Sequence, residues 1–455
     1  MKFIKLASIT VAAIIFGIGI TTCSKDENND DNQENVEFAD KGKSFEFLVG
    51  DKVELNVTGL SSQKEYILQI EDIQIEYNIF SISDGVLKFQ INKKLSGIID
   101  KKLILKHEGK VVAEGPSLSV KKTYAINKGA NGIAPDYAAP MSITSDNTVN
   151  IRTSFYSTPP RLHINTALFK GNFLANQLGH LDMERSGFYV DISSIEVPNN
   201  GKWGFAASIR NTAMATRNDI IYVPMFYTLT EGNREVPYYR ILMREKNGQV
   251  KPFGGDIERY KFEDGIFNIC VDSKGILYVV EWGKNCIYQL DPSKQGGKIL
   301  WAGSETESAS VDGTGTNARF SSINYLNIDS NDNIYLVENS KIRKITPDRK
   351  VSTLAGKDET GDVVGDINSA LFNKIKGMAI GKDNSIYVLD GENEVLKIIS
   401  QEQTKVFSYP IKDSRNFVFS DSRQEMPMQV DTNGIVYFVS KQDLYAIVPD
   451  NLWPD

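Results

Sequence analysis

The chain is poor in sulfur and in imidazole, with three cysteines and three histidines among 455 residues. Three cysteines cannot form the disulfide framework of a small secreted domain, and the scattered His107, His163 and His180 do not make a histidine-built zinc site. A basic excess is also missing. Lys and Arg number 51 against 58 Asp and Glu, a net charge of −7, so nothing is available to neutralise a phosphate backbone and nucleic acid is excluded as a partner. There is no G-x-S-x-G to seat a serine nucleophile and no G-x-x-x-x-G-K-[ST] to cradle phosphates. After residue 36 no segment keeps a 3.6-residue apolar period, which excludes a helical body. With 41% hydrophobic, 24% charged and 10% aromatic residues, the chain falls among ordinary globular proteins.

The N-terminus reads as an address. Lys2 and Lys5 precede an uncharged apolar run, Leu6 to Ile20, of 15 residues. That is shorter than the about 20 residues a membrane-spanning helix needs, so residues 1–22 form an export signal. The run ends in Ile20-Thr21-Thr22-Cys23, followed by the polar stretch SKDENNDDNQEN. This resembles a bacterial lipoprotein signal, in which Cys23 becomes the lipidated first residue, and the Lys25-Asp26-Glu27 cluster resembles the surface-export signals of Bacteroidetes-type lipoproteins. The resemblance implies a lipid anchor on the outer face of the outer membrane. Losing Lys2 and Lys5 with the leader changes the net charge from −7 to −9. Residues 23–36 are too polar and acidic to bury a core and form a flexible tether.

The rest is all-β. Residues 37–122 hold short β-branched and aromatic runs, among them FEFLV (45–49), VELNV (53–57), VLKFQI (86–91) and KLILKH (102–107). Turn residues space them as in a small sandwich. The segment resembles an immunoglobulin-like TIG/IPT domain.

Residues 126–455 form one region, and from residue 200 onward the chain repeats itself. FNICVDSKGILYVVEWGKNCIYQLDP (267–292), NYLNIDSNDNIYLVENSKIRKITP (324–347), KGMAIGKDNSIYVLDGENEVLKIIS (376–400) and PMQVDTNGIVYFVSKQDLYAIVP (427–449) align, with a weaker copy at 211–232. Their anchoring tyrosines, Tyr222, Tyr278, Tyr335, Tyr387 and Tyr437, stand 56, 57, 52 and 50 residues apart. Each period holds about four short strands, the length of one propeller blade. The pattern of short strand, D-x-x-G/N turn, Ile/Leu-Tyr-Val strand and polar loop resembles NHL-repeat β-propellers. Residues 126–200 supply one more repeat, for six blades in all. In such a fold, alternate side chains of Ile334-Tyr335-Leu336-Val337 enter opposite seams between blades.

Candidate functional residues lie in the loops after the Tyr-bearing strands, which the propeller reading opens on one face near the axis. Glu281, Glu338 and Asp390 stand there and could hold Ca²⁺ through hard oxygen ligands, as in lactonase-type propellers. Trp282, Trp301 and Tyr325 offer platforms for sugar rings. The leading expectation is a non-catalytic, surface-anchored protein without cofactor that binds glycan, as an accessory to polysaccharide uptake. A calcium-dependent hydrolase or lactonase, and a scaffold for a surface protein partner, are the alternatives. Gly313 to Ala318 superficially matches a dinucleotide fingerprint, but it follows no hydrophobic strand and is read as a connection between blades. Cys270 and Cys286 are expected to be unpaired, because first and third strands of one blade lie about 9–10 Å apart, beyond disulfide reach.

Overall fold

The structure is a computed structural model. It describes residues 36–452 apart from 62–63, 71–72, 75–79, 84, 131–140, 158–159, 174–180, 194, 205–213, 263, 414–425 and 441–442. The leader, the tether and Cys23 lie outside the described residues. The fold is all-β and divides into two compact units after Thr123.

The smaller unit is a two-sheet sandwich. Glu37–Phe38, Lys52–Thr58, Phe80–Ser83 and Val86–Gln90 form one sheet; Ser44–Leu48, Ile67–Ile70, Ile73–Gln74, Lys101–His107 and Lys110–Lys121 form the other. Strict alternation makes the core: along Lys52–Thr58 only Val53, Leu55 and Val57 are buried. They meet Leu68, Leu103, Leu105 and Leu118 of the opposite sheet in a single apolar cluster.

The larger unit carries antiparallel meanders, numbered here as sheets in chain order. Sheet 1 comprises Met141–Ile143, Val149–Ser157, Pro160–Phe173 and Leu181–Asp191. Sheet 2 comprises Lys202–Gly204, Ala215–Arg217, Ile220–Glu231, Arg234–Arg244 and Val250–Pro252. Sheet 3 comprises Ile266–Val271, Leu277–Glu281, Cys286–Leu290 and Ile299–Gly303. Sheet 4 comprises Asn324–Ile328, Ile334–Glu338, Lys341–Ile345 and Lys350–Gly356, edged by Gly313–Thr314. Sheet 5 comprises Ile375–Ile380, Ile386–Asp390, Val395–Ser400 and Lys405–Asp413. Sheet 6 comprises Met428–Val430, Val436–Ser440 and Asp443–Pro449, and its fourth strand comes from the other end of the unit: Tyr124–Ala130 pairs antiparallel with Asp443–Pro449. The same strand also pairs in parallel with Lys405–Asp413, which merges sheets 5 and 6 into one nine-stranded sheet. The extra repeat expected over 126–200 is therefore corrected: its first residues close the last sheet, and sheet 1 begins at Met141.

The first strands of the sheets, with Ala215–Arg217 in that place for sheet 2, stand side by side in sequence order, and that of sheet 6 returns to that of sheet 1. Each junction is filled by its own apolar cluster, because each sheet has both faces covered. Leu277–Glu281, Ile334–Glu338 and Ile386–Asp390 are accordingly buried at every residue. Ile334 and Leu336 pack toward sheet 3 while Tyr335 and Val337 pack toward sheet 5, the expected alternation.

The turn after each first strand ends on a left-handed residue: Asn147, Asp219, Gly275, Asp332, Asn384 and Gly434, with φ between 60° and 80°. Asn, Asp and Gly tolerate that conformation best. In three turns an aspartate organises the loop. Asp272, Asp329 and Asp431 accept two backbone N–H groups each, and the repeat tyrosines Tyr278, Tyr335 and Tyr437 donate their hydroxyls to the same carboxylates. This contact explains the co-occurrence of the D-x-x-G/N turn and the tyrosine.

Candidate functional site

Glu281, Glu338 and Asp390 end the second strands of sheets 3, 4 and 5, and all three are buried. Each finds its partners locally. Glu281 accepts the Asp264 N–H at 2.9 Å and pairs with Lys298 at 2.6 Å. Glu338 accepts the N–H and hydroxyl of Ser321 and the hydroxyl of Ser310, and pairs with Arg343. Asp390 accepts the Asn373 N–H and the Asn393 amide, both at 2.8 Å, and pairs with Lys397 at 2.8 Å. An aromatic ring completes each cassette: Phe262 against Lys298, Phe320 against Arg343 and Phe372 against Lys397, at 5.2, 5.4 and 5.2 Å. Two of the cations also reach an exposed carboxylate on the preceding connection, Asp312 for Arg343 and Asp362 for Lys397, both at 2.8 Å.

The arrangement latches the chain entering each first strand to the end of the second. The convergence of the three carboxylates near the axis is thus corrected. A carboxylate removed from water needs a counter-charge and donors, and the sheet supplies them at once. Among the described residues no group of three or more His, Cys, Asp or Glu is arranged to hold a metal ion. Burial still pushes the Asp390 carboxyl above its ordinary range, against the opposing pull of Lys397.

The aromatic candidates separate. Trp301 is buried between sheets 3 and 4, edge-to-face with Tyr278 at 4.6 Å, so its expected place on a binding face is corrected to the core. Trp282 keeps 38% of its surface exposed. Its ring stands at 75° to Phe267 with centroids 5.2 Å apart, and its backbone N–H donates to the Gly265 carbonyl at 2.7 Å. Tyr325 lies on the first strand of sheet 4, and its hydroxyl donates to the Lys376 carbonyl of sheet 5.

Phe267 and Tyr325 both line a cavity of about 190 Å³ enclosed by the first strands. Its walls come from all six sheets, through Met141 to Ile143, Met214 to Thr216, Phe267 to Val271, Tyr325 to Ile328, Met378 with Ile380, and Pro427 to Gln429. Sequence reasoning missed this feature. A signal did exist: Asn268, Asn327 and Gln429 interrupt otherwise apolar first strands in three of the aligned repeats. Burial pushes the Cys270 thiol on this wall well above its ordinary value, and both Cys270 and Cys286 are free and buried.

Of the histidines, His107 donates its Nδ1–H to the Glu65 carbonyl (2.8 Å) in the smaller unit, His163 lies on a strand of sheet 1, and His180 is outside the described residues.

No protein-family model and no curated protein matches the chain. Solved structures do. A structural-genomics protein of unknown function from Bacteroides thetaiotaomicron is 14% identical, with 89% of this chain and 96% of that one covered and a TM-score of 0.44. An auxiliary nutrient binding protein from the same organism is 13% identical over 92% and 99% of the two chains, with a TM-score of 0.42. The virginiamycin B lyase of Staphylococcus aureus is 12% identical over 71% and 99%, with a TM-score of 0.39. Among the described residues no helix is long and apolar enough to cross a membrane.

Proposed function

We propose that the chain is a non-catalytic binding protein of the cell surface. Cys23 anchors it, the N-terminal sandwich is an immunoglobulin-like spacer, and the larger unit is a six-bladed propeller that presents the rim around Trp282 to a nutrient ligand, glycan in the first instance. One observation carries this reading. Trp282 is a large aromatic held edge-on by Phe267 beside the axial cavity, yet more than a third of it faces solvent. A fixed, exposed indole is a stacking platform for the C–H face of a sugar. The enzyme alternatives gain no comparable support, since Glu281, Glu338 and Asp390 are each held in an ion pair.

The test is a glycan array followed by titration of the best ligand into wild type and Trp282→Ala. Affinity should fall by about 1–3 kcal/mol, as for a central aromatic anchor, with the melting temperature nearly unchanged. Unchanged affinity, or a hydrolytic activity abolished by EDTA, would refute the reading.

A further inference from the structure

The axial cavity has a one-sided chemistry. Among the described residues no Asp, Glu, Lys, Arg or His lines it, so nothing there compensates a ligand's charge. Two of its amides have a determined orientation. Asn327 Nδ2 donates to the carbonyls of Tyr325 and Met378, at 3.0 and 3.2 Å, and Gln429 Nε2 donates to the carbonyl of Met141 at 3.4 Å. A carbonyl can only accept, so the NH₂ ends are fixed against the backbone and the amide oxygens are left for other donors. Asn268 adds a third amide from sheet 3, and Phe267 supplies apolar wall. At about 190 Å³ the space is below the roughly 300–1,000 Å³ of drug-sized pockets, which limits an occupant to one small ring.

We infer that this cavity is a site for a single uncharged, hydroxyl-bearing ring, a neutral monosaccharide or the neutral end of a glycan, whose hydroxyls donate to the oxygens of Asn327 and Gln429. The inference rests on the binding role proposed above and adds a charge rule to it. An acidic sugar would leave water for walls that present amide oxygens and no cation, so it is rejected.

Calorimetric titration of the full chain with neutral hexoses and with their uronates tests this. A neutral hexose should bind at one site, with its uronate at least about a hundredfold weaker. Asn268→Leu, which breaks none of the bracing contacts above, should weaken hexose binding at least about tenfold. Gln429→Met is the second variant, should Asn268→Leu fail to fold. Equal binding of hexose and uronate overturns the inference, as does wild-type hexose binding in both cavity variants. Polysaccharide binding that survives both cavity variants but is lost in Trp282→Ala overturns the cavity site and leaves the binding role standing. Failure of mono- and polysaccharides alike to bind wild type overturns the role itself.

Discussion

Lys397→Met tests the cassette logic most directly. Lys397 is fully buried and holds Asp390 and Asp362 at 2.8 Å each, together with the Leu371 carbonyl at 2.8 Å. Its exposed partner Asp362 adds little. Removing the ammonium strands Asp390 in the interior with only the Asn373 N–H and the Asn393 amide, a loss of about 3–5 kcal/mol by analogy with other broken buried pairs. All four tryptophans, at 203, 282, 301 and 453, belong to the larger unit, so urea unfolding followed by indole fluorescence reports that unit alone. The pH dependence has a definite sign. Burial already raises the Asp390 carboxyl above 3.8, and loss of Lys397, which opposes that rise, raises it further. A group whose folded pKa is raised contributes stability at low pH that is lost as pH rises through the folded value. The deficit of Lys397→Met is therefore largest at pH 7 and shrinks on acidification toward 4. Adding Asp390→Asn should recover at least about 1.5 kcal/mol. A loss under about 1 kcal/mol, or strict additivity of the two changes, would refute the reasoning.

Trp301→Ala should cost the larger unit about 3–5 kcal/mol in the same assay and Trp282→Ala under about 1 kcal/mol, because one ring is core and the other rim. Thiol labelling should find Cys270 and Cys286 unreactive in the native protein and both reactive after denaturation without reductant; neither reacting would show a disulfide. Asp332→Gly, which keeps the left-handed backbone and removes the acceptor for Ser273 together with the partner of Arg217 at 3.8 Å, should cost about 1 kcal/mol in urea unfolding. Cys23→Ala should move the protein from the membrane fraction to the soluble one, and retention would refute the lipid anchor.

What could be read from the sequence follows from how each contact is encoded. Sheets 3, 4 and 6 announce themselves because aspartate and tyrosine recur at a fixed six-residue offset within one hairpin. Sheets 1 and 2 are fainter. Thr144 and Arg217 replace the turn aspartate, and the long hairpin strands Pro160–Phe173 and Arg234–Arg244 stretch the period. The cassettes were legible as carboxylates but not as ion pairs, because their cations lie at offsets of 17, 5 and 7 residues. Lys298, Arg343 and Lys397 reach equivalent places from different strand positions. Trp301 looked like Trp282 in the sequence, since only the closure of sheet 3 on sheet 4 decides which indole is covered. The cavity exists only once six strands stand around one axis, so no single repeat could disclose it.

The junctions between sheets show how near-identical repeats are kept in order. At four of them the left-handed Asx residue accepts both N–H and hydroxyl, or the N–H with a returned amide bond, from the preceding sheet's Ser or Thr. Asp219 takes Ser145, Asp332 takes Ser273, Asn384 takes Ser330, and Asn147 pairs with Thr432. At the other two the left-handed residue is Gly275 or Gly434, which has no side chain to accept, and the preceding turn carries Asn218 or Lys382 in place of Ser or Thr. The Ser or Thr hydroxyl and its Asx acceptor are thus absent together. Among the described residues, those two junctions are where backbone pairing crosses between sheets instead: Tyr239 with Phe262 from sheet 2 toward sheet 3, and Tyr124 to Ile126 with Ile411 to Asp413 from sheet 6 to sheet 5. Among the described residues every junction therefore has at least one polar crossing besides its apolar seam, made by side chains or by main chain. An order that set a Ser- or Thr-bearing turn before Gly275 or Gly434 would leave its hydroxyl without this acceptor.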